Sequence, residues 1–143
     1  MANEARVHAE GVAKGIVRQF TVADGTAIAK GALLVYSSAT RTAKAHIAAG
    51  GQQRPLGFAV EEKEANDGKT TIGLQRTGVI DAIFDGVYRT GDVVRCSPTT
   101  ANRVQAVNTT AAGLSYEIVV EILGRSLEDG ATTTTGKVAL TLG

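Results

Sequence analysis

Residues 24–37 read DGTAIAKGALLVYS, and residues 85–97 read DGVYRTGDVVRCS. With one residue gapped between the Asp-Gly pair and the next glycine the two align, so that Gly31 and Gly91 each open an apolar run after a turn. Asp-Gly favours tight turns, and the aliphatic and β-branched run behind it reads as a strand. A fainter echo joins GFAVEEKEANDGKTTIGL (57–74) to GRSLEDGATTTTGKVALTL (124–142). The pairing suggests two related half-sheets, about 16–80 and 81–143, closing on one core. Asp-Gly turns before strands also occur throughout β proteins, and that alternative stands beside the repeat.

The segments outside the echo read the same way. IVRQFTV (16–22), LGFAV (56–60), KTTIGLQRTGVIDAIF (69–84), RVQAV (103–107), YEIVVEIL (116–123) and KVALTL (137–142) are all strand candidates. Asn66-Asp67-Gly68 is the strongest turn signal. ATRTAKAHIAAGG (39–51) is ambiguous between a short helix ending at Gly50-Gly51 and a polar strand followed by a loop. Short strands at intervals of about 8–12 residues predict an all-β fold, a compact sandwich or barrel with at most one short helix. Ahead of it, residues 1–15 read as an extended N-terminal arm, in which Val7 and Val12 are the aliphatics larger than alanine.

At 143 residues the chain predicts a single body, 16–143, beyond the arm. Hydrophobic residues make up 43% but aromatics only 4%, with 17 Gly and 2 Pro, so large anchors are scarce. One cysteine excludes an internal disulfide framework. A formal charge of +1 argues against a phosphate-tracking nucleic-acid binder. No apolar run approaches the roughly 18 residues of a membrane span, and the N-terminus does not read as a signal peptide.

Residues able to carry chemistry are few and scattered. His8 lies in the arm and His46 in an Ala-rich stretch, without metal-ligand spacing, and both read as exposed or locally bonded. Cys96 ends an apolar run with no histidine beside it and reads as a half-buried structural thiol. Glu61, Glu62, Glu64 and Asp67 crowd onto a turn without calcium-loop spacing, which predicts a solvated loop. Gly68-Lys69-Thr70 lacks the upstream glycine of a phosphate loop, and no G-x-S-x-G elbow exists. Tyr36, Tyr88 and Tyr116 lie in or beside strands, where they would fill a core or a subunit seam. These observations predict no catalytic set, no metal and no cofactor. A hydrolase would need His46 to meet an acid and a nucleophile in space.

A near-neutral, Gly/Ala/Thr-rich β chain with a short polar arm resembles the small head-decoration, or capsid-cement, proteins of tailed bacteriophages. The likeness lies in the order of DGTAIAKGALLVY, RPLGFAVEE, KTTIGLQRTGVIDAIFDG and TGDVV, over roughly residues 16 to 123. It implies a β-tulip-like body of the lambda type, a homotrimer at three-fold and quasi-three-fold positions, and assembly in the host cytoplasm onto the outer surface of the phage head. The implied partner is the major capsid protein, with no nucleic acid and no membrane. The arm that would contact the capsid maps onto Ala2, Asn3, Glu4, Arg6, Val7, His8, Val12 and Lys14. The chain departs from the lambda type in lacking Trp, in its few prolines, and in its size and internal echo. A tail or baseplate component and a small ligand-binding module are the competing expectations.

Overall fold

The computed structural model describes residues 16–37, 41–47, 53–107 and 122–142. Ten strands account for its regular structure: β1 (Val17–Thr21), β2 (Leu33–Ser37), β3 (Thr42–Ala45), β4 (Pro55–Ala59), β5 (Thr71–Gln75), β6 (Thr77–Ile83), β7 (Val93–Cys96), β8 (Val104–Val107), β9 (Ile122–Ser126) and β10 (Thr135–Thr141). They form two five-stranded antiparallel sheets, ordered β1-β5-β4-β2-β3 and β6-β10-β9-β7-β8. No helix occurs among the described residues, and of the ambiguous 39–51 segment Thr42–Ala45 is a strand. Of YEIVVEIL, Ile122 and Leu123 lie in β9, and residues 116–121 fall outside the described residues, as does the arm 1–15.

The second sheet repeats the strand order of the first, with passage between them at Arg76. Local landmarks repeat as well. Gly31 and Gly91 have φ of 85° and 89°, a left-handed conformation open to glycine at little cost. Their N–H groups donate to Ala59 O (2.7 Å) and Ser126 O (2.8 Å). Pairing shifts by a residue after Leu34 in β2 and after Val94 in β7. One parallel bridge per half, Val22–Ala43 and Phe84–Val104, links the ends of the sheet order.

Strand alternation places the cores. In β10, Gly136, Val138 and Leu140 are buried, while Lys137 faces out to pair with Asp81 at 2.9 Å. In β2 both faces are buried, with Leu33, Leu34 and Val35 each 0% exposed. Leu34 packs with Val22, Ile28, Ile72 and Leu74 of the first half. Leu33 and Val35, with Phe58, join the cluster of Phe84, Val94, Leu123 and Val138 in the second half. β2 is therefore the wall between two cores.

The second core carries the bulk that the first lacks. Tyr88 stacks on Phe84 with ring centroids 3.7 Å apart, and its hydroxyl lies 3.0 Å from Thr134 Oγ1. Its ring lies over Gly130 and Gly136, and a Cβ on Gly136 would stand 2.6 Å from the ring. At the matching positions the first half has Ile28 bridged to Lys63, and Ile72 paired with Phe20. A smaller residue on one strand is matched by larger ones opposite.

Leu34→Ala should lower stability by about 2–5 kcal/mol, read from the midpoint of urea unfolding, because it truncates a fully buried side chain of the first core. Gly136→Ala should cost about 1–3 kcal/mol by overpacking. Combined with Tyr88→Ile it should cost less than the sum of the two single changes, a coupling read from a double-mutant cycle.

Candidate functional site

A polar cluster lies where the two halves meet, between the end of β3 and the β7–β8 turn. His46 follows β3 and its N–H donates to Leu33 O (3.0 Å), which carries its ring into the joint at 2% exposure. Asn102 N–H donates to His46 Nδ1 at 2.9 Å, and His46 Nε2 lies 2.8 Å from Ser97 O. A carbonyl only accepts and an amide N–H only donates, so the ring is the neutral Nε2–H tautomer. Asn102 Oδ1 in turn accepts from Leu33 N–H at 2.7 Å. Asn102 can serve both partners because it occupies the left-handed region, φ 58°.

Behind Ser97 lies Asp85, which follows β6. Its Oδ2 accepts from the hydroxyls of Ser97 (2.7 Å), Thr99 (2.5 Å) and Thr100 (2.9 Å). Ser97 Oγ also accepts the N–H groups of Thr99 (3.2 Å) and Thr100 (3.1 Å), which ties the SPTT turn to one carboxylate. The Ser97 hydroxyl, then those of Thr99 and Thr100, hold the Asp85 carboxyl below its ordinary value of 3.8, and the Arg103 charge adds to this.

His46, Ser97 and Asp85 thus meet, as a hydrolase would require, but in the wrong order. A nucleophilic triad needs the serine hydroxyl on the imidazole and the imidazole on the acid. Here the imidazole takes the main-chain carbonyl of Ser97, its other nitrogen is capped by Asn102, and the hydroxyl is bound directly by Asp85. The trio binds a turn to a strand, with both imidazole nitrogens engaged by main-chain groups.

The acidic run is organised by a residue that sequence reasoning passed over. Lys63 has a fully buried side chain, and Nζ donates to Asp24 O (2.7 Å), Glu64 O (2.9 Å) and Asp67 Oδ1 (3.0 Å). All three ammonium protons are used, which is what makes a buried lysine tolerable. Asp67 also accepts the N–H groups of Lys69 and Glu64; with Lys69 leading and the Lys63 contact following, its carboxyl is lowered below 3.8. Thr90 does the same for Asp129 through its N–H and hydroxyl. Glu62 and Glu64 are exposed, as expected of a solvated loop.

The other candidates fall apart from one another. Cys96 is 1% exposed, buried among the second core rather than half-buried. Tyr88 fills that core and Tyr36 is 38% exposed. The arm residues Ala2, Asn3, Glu4, Arg6, Val7, His8, Val12 and Lys14, together with Tyr116, lie outside the described residues. Among the described residues no three His, Cys, Asp or Glu side chains gather as metal ligands.

A cavity of about 220 Å³ opens at the joint, between Phe58, Val60 and Gln75 of the first half and Ile80 and Asp81 of the second. Nearby, Arg76 anchors the passage between sheets. Its N–H donates to Ile16 O (2.9 Å), Nη2 donates to Leu142 O (3.0 Å), and the guanidinium lies 5.3 Å from the centroid of the Phe20 ring. Comparison with protein-family models and with curated proteins finds no match to this chain.

Asp85→Asn keeps the shape of the side chain and removes its charge. A carboxyl lowered on folding contributes stability above its unfolded value, lost as pH falls through the folded one. The variant should therefore melt lower than the parent at pH 7, and the gap should narrow as pH drops below about 4. Thermal melts across pH 3–7 check this.

Proposed function

We propose that the chain is a phage head-decoration protein, a homotrimer that binds the outer surface of the mature head and clamps neighbouring major capsid subunits. The observation that supports this reading best is one sheet plan used twice in a single chain, with its polar side chains engaged in tying turns to strands and one half to the other. Such a body is stiff and offers repeated surfaces to a repeated lattice. The two parallel bridges, Val22–Ala43 and Phe84–Val104, support the finer proposal of β-tulip-like closure.

A decoration protein accelerates no reaction. It has to bind a lattice many times over, so weak contacts gain strength through effective concentration. Three arms on a three-fold body supply that multiplicity. An arm containing ANEARVHAEG suits strand addition, in which main-chain hydrogen bonds carry the affinity and no large side-chain anchor is needed. Binding to the mature lattice alone stabilises that lattice by mass action.

Deleting residues 2–14 should leave a folded trimer, by circular dichroism and sedimentation, that no longer co-sediments with mature heads. Heads that keep the truncated protein at full occupancy would remove the arm from the mechanism. Electron microscopy of heads with and without the protein tests the reading as a whole.

A further inference from the structure

His46 joins the two halves through a contact that works in one protonation state. We propose that it is an acid-released latch: with a neutral ring it locks the β7–β8 turn of the second half onto the β2–β3 hairpin of the first, and protonation frees that turn.

Three hydrogen bonds cross the joint at this point. They run from Asn102 N–H to His46 Nδ1 (2.9 Å), from His46 Nε2–H to Ser97 O (2.8 Å), and from Leu33 N–H to Asn102 Oδ1 (2.7 Å). A proton added at Nδ1 turns the acceptor of the first bond into a donor aimed at another donor. The ring then has to leave its 2%-exposed site or push the turn away. Once Asn102 N–H is displaced, Asn102 Oδ1 and Leu33 N–H lose their alignment, so the three bonds fail together. Asn102 itself is exposed, which gives water a path to the opened turn.

Among the described residues, the charged groups on the elements that meet at the joint include Arg41 and Lys44 of the β2–β3 hairpin, Arg54 ahead of β4, Asp85 after β6, Arg95 in β7, and Arg103 after Asn102. Lys44 and Arg54 are exposed. Asp85 Oδ2 is occupied by three hydroxyl donors, those of Ser97, Thr99 and Thr100.

The internal repeat shows that the fold itself does not demand this histidine. Val107, paired with Val93, stands where His46 meets Leu33, and Arg41 occupies the left-handed turn position matching Asn102, with φ 53° against 58°. The equivalent strand is closed in the second half by an apolar side chain with nothing to titrate. The latch belongs to the joint, and no reading of the chain's function is needed for it.

The experiment is nitrogen-detected NMR of the imidazoles with amide hydrogen exchange between pH 7.5 and 5.0. The chain has two histidines, so His8 is an internal reference. The latch predicts the Nε2–H tautomer for His46 at pH 7.5. On its protonation, the protection factors of Leu33 and Asn102 should fall at least tenfold, while those of Leu74 and Val138 hold. His46→Gln should show low protection at Leu33 and Asn102 at every pH. An Nδ1–H tautomer overturns the proposal, as does protection at Leu33 and Asn102 that survives His46 protonation. If the variant does not fold, the tautomer and the parent's exchange decide alone.

Discussion

The two described sheets are arranged around the burial of three consecutive residues, Leu33, Leu34 and Val35. A strand in an ordinary two-layer fold buries alternate residues and shows the rest to water. β2 cannot, because the first half packs on one of its faces and the second half on the other. The second half therefore has to follow in a fixed position, and the contacts that fix it converge nearby. His46 donates its N–H to Leu33 O, Asn102 accepts from Leu33 N–H, and Phe58, on the strand paired with β2, faces the cavity at the joint. The polar joint and the apolar wall thus share one strand.

Much of the fold was legible from local pattern. β2, β4, β5, β7 and β10 lie where aliphatic alternation and the turns before them place strands, since those signals are set by neighbours in sequence. Gly31 and Gly91 announced the repeat because left-handed turns restrict residue choice. The boundary between halves was less legible. It falls at Arg76, a single residue between β5 and β6, inside a stretch that reads as a continuous run of strand.

The joint was illegible for a plainer reason. His46 sits in an Ala-rich stretch that looks exposed, and its partners lie 51 and 56 residues away. No periodicity connects residues so far apart. Lys63 was hidden in the same way: in a run of acids it reads as one more solvated charge, and only its contact with Asp24, 39 residues back, takes it inside. Cys96 was placed on the right strand, but its depth depends on a second core contributed by both halves.

The unequal filling of the two cores has a consequence for how such a chain can change. Tyr88, Gly130 and Gly136 form one solution to a shared space, and Ile28, Lys63 and Ile72 form the other. Moving a single residue from one set into the other leaves either a clash or a hollow, and moving Lys63 would also strand its charge. The halves share the same backbone plan, yet their interiors are not interchangeable. A change at one of the three residues in either set therefore calls for a matching change at the others.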